Sequence, residues 1–188
     1  AGGHFHGQCG VGRLRRRHSL VHGGLQRRGQ NLARRIQALE RIADQRELLA
    51  HYEAVAKAVK IPIVLYNFPW RAGTEVSYEV MDGLTKYDHI IGIKEASGDM
   101  SRVYEFRLRY GDRYQMICGS DDQALDYFLW GTTSWIGGAA SCAPLEHHNV
   151  LEAALANDFV TARKHMDKLL PLLRNMESGG YTQKVKVG

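Results

Sequence analysis

His89-Ile90-Ile91-Gly92-Ile93-Lys94-Glu95-Ala96-Ser97-Gly98-Asp99 is an apolar, β-rich run that ends on a lysine and breaks at a glycine. A run of this kind, bounded by a turn signal, reads as a strand, and a helical pattern follows it through Tyr110. The same cycle stands on either side. Residues 60–67 read as a strand typical of one buried on both faces, then a Pro/Gly loop over 68–73, then a helix over 77–87 capped by Ser77 with Val80, Met81 and Leu84 on one face. Residues 114–118 read as a strand, 119–122 as a loop, and the helix after them runs through Trp130. Residues 134–136 open a fourth strand, followed by Gly137-Gly138-Ala139-Ala140-Ser141 and a helix over 144–156. Strands alternating with helices mean parallel βα units. Four such units without dinucleotide-binding glycines predict half of a (β/α)8 TIM barrel, with a doubly wound α/β sheet as the alternative.

Outward from this block, Leu48, Tyr52, Val55 and Val59 repeat at helical spacing and predict a helix over 44–59 capped by Asp44. Two more helical stretches are expected over 158–169 and 171–177. The organisation read from the sequence is therefore an atypical segment over 1–42, the C-terminal half of a barrel over 43–156, and a truncated helical extension over 157–188.

Charge divides at nearly the same place. Residues 1–46 hold 10 Arg, no Lys and only Glu40 and Asp44, a sum of +8, whereas 47–188 sum to −3. A nucleic-acid-binding reading of the whole chain loses its main support. Residues 1–38 contain eight Gly, eight Arg and four His without sustained periodicity. They read as a non-native stretch from GC-rich coding DNA, as a disordered basic tail, or as an arm placing Arg15, Arg16 and Arg17 on phosphates. No run reaches the ~18 apolar residues of a membrane span. Cys9, Cys118 and Cys142 fit neither a disulfide framework nor a zinc site, so a reducing cytoplasm is expected.

In β/α barrels the catalytic side chains sit at the C-terminal ends of strands and in the loops that follow. Lys94 ends its strand, and an amine facing a poorly hydrated barrel mouth is a candidate nucleophile toward a carbonyl. The competing reading pairs Lys94 with Glu95 or with solvent. Tyr66 ends a strand too, as a proton relay or as a packed aromatic. Arg71 offers a planar fork for a carboxylate, or else pairs with Glu75 or solvent. The glycine turns after the third and fourth strands let backbone approach a ligand. Asp121-Asp122 read as a helix cap rather than a metal site, and His147-His148 as surface residues.

Tyr66-Asn67-Phe68-Pro69-Trp70-Arg71-Ala72-Gly73 resembles the YNxPxRxG motif of the dihydrodipicolinate synthase/N-acetylneuraminate lyase family. Ile91-Gly92-Ile93-Lys94-Glu95-Ala96-Ser97-Gly98-Asp99 resembles its GIKEAxGD lysine motif, at matching spacing. The likeness continues through Cys118-Gly119-Ser120-Asp121-Asp122 and Gly131 to Ala140, from about Ala43 onward. It implies a (β/α)8 barrel with C-terminal helices, assembled as a homotetramer. It implies an imine between Lys94 and pyruvate or another 2-oxo acid, for aldol-type condensation or cleavage. The imine is the electron sink, so neither metal nor organic cofactor is expected. Tyr66 would relay protons, Arg71 would bind the second substrate's carboxylate, and Gly119 and the Ile136 backbone would line the pocket floor. The implied partners are a small 2-oxo acid and further copies of the chain, with no nucleic acid and no membrane.

The chain also departs from that pattern. The family's Gly-Thr-Thr-Gly-Glu run is absent, and Gly131-Thr132-Thr133 lies before the last strand. Leu39-Glu40-Arg41 stands where the family has an aromatic pair. An eight-stranded barrel takes roughly 250 residues, so four strands predict a fragment lacking its first half. Trp70 and Trp135 near the mouth point to a catabolic relative, a 1-pyrroline-4-hydroxy-2-carboxylate deaminase or a 2-keto-3-deoxy sugar acid dehydratase. An inactive fragment is the remaining alternative.

Overall fold

Helix α1 (Gln45–Ala58) opens on a capping box: the Asp44 side chain accepts from the Arg46 and Glu47 N–H groups, and Glu47 reaches back to the Asp44 N–H. This is a computed structural model, and it describes residues 44–187; the readings of the segment before them lie outside the described residues. Ala56 is buried, and Leu48, Leu49 and Tyr52 pack beside it, whereas Val55 lies at the exposed edge of the expected face.

Three strands follow, β1 (Ile63–Asn67), β2 (Ile90–Glu95) and β3 (Gln115–Cys118), parallel and in sequence order. Tyr66 lies opposite Lys94, and Lys94 opposite Ile117; one residue on, Asn67, Glu95 and Cys118 align. Successive side chains point to opposite faces. Leu65, Asn67, Ile93, Glu95 and Cys118 are buried on the helix side. Val64 and Tyr66 face the other way and are exposed. The expectation of a first strand buried on both faces is therefore corrected, because helices cover only one face among the described residues.

Between the strands lie α2 (Pro69–Ala72), α3 (Tyr78–Leu84) and α4 (Ser101–Tyr110). The expected loop over 68–73 is instead a helical turn. Pro69 starts it with a preset φ, and Gly73, at φ 72°, closes it by donating to the Pro69 carbonyl at 2.8 Å. Ser77 caps α3 as expected, accepting from the Val80 N–H. Beyond β3 a 3-10 turn (Asp121–Gln123) leads into α5 (Ala124–Leu129).

The fourth strand is reduced to one parallel bridge, Cys118 to Trp135. Gly131 at φ 85° and Gly137-Gly138 bracket the segment, and among the described residues it has a neighbour on one side only. A second 3-10 turn (Ala139–Ser141) precedes α6 (Pro144–Leu155), α7 (Phe159–Glu177) and α8 (Tyr181–Val187). The two stretches expected over 158–177 form one helix, and α8 extends the predicted elements. Pro171 removes one backbone hydrogen bond, but Leu169 and Leu173 are buried on either side of it and hold the helix through the defect.

Among the described residues, two apolar clusters make the core. One joins α1, α3 and the outer face of β1 and β2 with Phe106 and Tyr114. The other joins α5, α6 and α7 around Tyr127, Phe128, Val150, Leu169 and Leu173. Each fully buried large side chain contributes about 1.5–3 kcal/mol. No helix among the described residues is long and apolar enough to cross a membrane.

Candidate active site

Lys94 and Tyr66 meet on the open face of the sheet. The Lys94 Nζ lies 4.2 Å from the Tyr66 ring centroid. Lys94 is partly buried, and it makes no hydrogen bond or ion pair with any described residue. Tyr66 is 48% exposed and stacks on Phe68.

Glu95 is not the partner of Lys94. Alternation sends it through the sheet, where it is 1% exposed and bonded from every side. The Asn67 amide donates to both of its oxygens at 2.9 and 2.8 Å, the Ser97 N–H donates at 2.7 Å, and Arg102 Nε donates at 2.9 Å. Arg102 also donates to the Val76 carbonyl and to Glu75, and Asn67 Oδ1 accepts from the Val76 N–H. Desolvation opposes the charge on Arg102, but the hydrogen bond and charge of Glu95 outweigh it and hold the guanidinium firmly protonated. The network fixes the ends of β1 and β2, and so fixes where Tyr66 and Lys94 stand.

Gly119 sets the passage for the lysine. A Cβ there would lie 2.7 Å from the Glu95 carbonyl oxygen and 3.0 Å from Lys94 Cε. The Gly119 N–H donates to that same carbonyl at 2.8 Å, and Tyr127 donates its hydroxyl to it at 3.2 Å. The Ile136 N–H donates to the Cys118 carbonyl, and the Ile136 side chain is 51% exposed. Arg71 is exposed in α2 with no partner among the described residues, since Glu75 bonds Arg102 instead. The five expected site residues thus fall at or just beyond the C-terminal strand ends.

Other expectations change. Asp121 caps nothing; it is buried, accepting from Trp135 Nε1 at 3.0 Å and the Ala139 N–H at 3.1 Å. Trp135 consequently turns away from the mouth and packs on Phe128 and His147. Trp70 does stand at the mouth, 83% exposed, and its Nε1 donates to the Ser97 carbonyl, tying the two motif loops together. His147 is buried rather than on the surface, because Trp135 covers its ring and the Ala143 carbonyl takes Nδ1; His148 is exposed. Burial pushes the Cys118 thiol up, which leaves it inert as a nucleophile. No cluster of three metal-ligating side chains occurs among the described residues. A cavity of about 400 Å³ opens at the far end of the strands, near Ile91, Arg113 and Trp130, away from Lys94.

Sequence reasoning missed Arg102. It shares one face of α4 with Phe106, four residues on, and a charge on a core-facing stripe was the available signal.

A family model described as the dihydrodipicolinate synthetase family matches residues 41–188. The chain belongs to that family. It is 42% identical over 129 residues to a 4-hydroxy-tetrahydrodipicolinate synthase of Exiguobacterium sibiricum, a match covering 69% of this chain and 44% of the relative. A synthase of the same name from Agrobacterium fabrum is 40% identical over 131 residues, covering 69% and 45%. The chain thus spans under half the length of these relatives. The dihydrodipicolinate synthase structure from Aquifex aeolicus superposes with a TM-score of 0.73 at 30% identity, over 77% of this chain and 50% of that one. The Acinetobacter baumannii dihydrodipicolinate synthase, a chloride-inhibited enzyme complexed with pyruvate, gives 0.69 at 30% identity, over 73% and 47%. The dihydrodipicolinate synthetase family is one of lyases and synthases, and the parallel α/β layout described above is shared with its solved members.

Proposed function

We propose that this chain carries the imine-forming part of a dihydrodipicolinate synthase-type active site. Residues 43–156 are the C-terminal half of a (β/α)8 barrel, and 157–188 a helical extension to it. The complete protein is a homo-oligomeric cytoplasmic enzyme acting on a small 2-oxo acid. The observation that carries the reading is the placement of Lys94: its amine has no hydrogen-bond or ion-pair partner among the described residues, lies against the Tyr66 ring, and shares the open face with Tyr66 while the adjacent carboxylate of Glu95 is locked on the other face.

The Lys94 amine nitrogen attacks the 2-oxo carbonyl of pyruvate. A C–N bond forms, the carbonyl oxygen leaves as water, and an imine remains. The imine accepts the electron pair released when a proton leaves C3, giving an enamine that attacks an aldehyde. Tyr66 is the proton relay at this centre. Arg71, exposed and uncommitted, binds the carboxylate of the incoming aldehyde. Gly119 and the Ile136 backbone form the floor.

The experiment is borohydride reduction in the presence of pyruvate, followed by peptide mass mapping. A reduced adduct on Lys94 is expected, and its loss in Lys94→Ala. An unmodified Lys94 overturns the proposal. The Exiguobacterium and Agrobacterium relatives both carry the synthase name, which supports the synthase reading over the catabolic one, as does the withdrawal of Trp135 from the mouth.

A further inference from the structure

Gly137 and Gly138 each admit a polar group where a Cβ would stand. At Gly137 the group is Asp121 Oδ1, 2.6 Å from that position, which accepts from Trp135 Nε1 while the Ala139 N–H donates to the other oxygen, Oδ2. At Gly138 it is the Tyr181 hydroxyl, 1.9 Å from that position, with the ring carbon behind it at 2.8 Å. Tyr181 opens α8, and its hydroxyl makes no hydrogen bond with any described residue. Gly138 lies two residues beyond Ile136, at the same end of the sheet as Lys94.

The surroundings define what this hydroxyl recognises. Burial first, then the charges of Asp121, Cys142, Glu177 and Tyr66, push the Tyr181 phenol up to about 12. It stays protonated and acts as a donor. The neighbouring Asp121 and Asp122 make this side acidic, and they push Glu177 upward as well, which disfavours a second carboxylate. A neutral hydroxyl is the group that fits. Arg71, on α2 beyond the far strand β1, supplies the anion-binding counterpart.

We propose that Tyr181 is a specificity residue whose phenol donates to a neutral hydroxyl carried beyond C3 of a 2-oxo acid bound to Lys94. The assignment rests on the imine reading. The test compares borohydride trapping on Lys94 of the full chain with pyruvate and with 4-hydroxy-2-oxobutanoate, which adds one hydroxymethyl group. In Tyr181→Phe the concentration of 4-hydroxy-2-oxobutanoate needed for half-maximal trapping rises on the order of tenfold, the worth of one hydrogen bond, while the pyruvate value and the melting midpoint stay in place. Gly138→Ala displaces the phenol without removing it and gives the same selective loss. Equal changes for both acids, or none, overturn the assignment to Tyr181 and leave the imine standing. A wild-type chain that traps neither acid overturns the imine reading, and the Tyr181 assignment with it.

Discussion

The two faces of one sheet use adjacent residues in opposite ways. On the helix side, Asn67, Glu95 and Arg102 leave scarcely a polar atom without a partner. On the open side, the side chains of Tyr66 and Lys94, one residue before Asn67 and Glu95, meet as amine over ring and have no hydrogen-bond partner among the described residues. A saturated network resists change and holds geometry. An unsaturated pair is free to bond a substrate. The difference teaches that the candidate site is built by segregation: the side chains that hold position and those proposed to react are separated by the thickness of a strand.

The sharpest way to break that contrast is Arg102→Ala. It removes the guanidinium partner of the buried Glu95 carboxyl group, and a loss of about 3–5 kcal/mol is expected in urea unfolding. Gly119→Ala comes next, because it strikes both faces at once. Its Cβ meets the Glu95 carbonyl and Lys94 Cε, so about 1–3 kcal/mol of stability is lost, together with much of the borohydride-trapped adduct.

Glu177 gives a smaller, pH-dependent effect. Desolvation, the charges of Asp122 and Asp121, and a hydrogen bond with Asp122 raise it to about 7. The fold therefore favours the protonated acid. Below about 4.5, its ordinary value, folded and unfolded chains are both protonated and there is no penalty; stability falls as pH rises from there to about 7 and then levels off. Glu177→Gln is expected to raise the melting midpoint above pH 7 and to leave it unchanged near pH 4. A gain at low pH instead would remove Glu177 from this role. Lys94→Ala sharpens the contrast from the other side. Stability stays within about 0.5 kcal/mol of wild type, while trapping with pyruvate disappears.

Much of this was legible in the sequence, for identifiable reasons. Asp44 offers a cap, and Leu48, Tyr52, Val55 and Val59 follow at helical spacing, so α1 could be placed within a residue. Lys94 stands out because a charge ends an apolar run. The rest depends on neighbours that local pattern does not encode. Residues 134–136 have strand composition, but a strand is completed by pairing, and only Trp135 finds a bridge. Pro171 reads as a stop until Leu169 and Leu173 are seen buried around it. Glu95 looked like a partner for Lys94 because the two are adjacent, although alternation sends adjacent strand residues to opposite faces. Arg102 meets Glu95 through a loop and the first turn of a helix, and Tyr181 reaches Gly138 across more than forty residues.

The register between β1 and β2 also dictates where this chain tolerates edits. Deleting or inserting a single residue inside Ile63–Asn67 would invert every side chain that follows in that strand. Asn67 would turn to solvent, and the Glu95–Arg102 pair would lose its amide. Tyr66 would enter the helix layer and leave the lysine alone. Length changes are thus confined to the connections, for instance around Asp112, whereas point substitutions can explore the mouth. Variation in this protein should therefore accumulate as changes of residue at the rim and changes of length in the turns, with the phase of the strands left untouched.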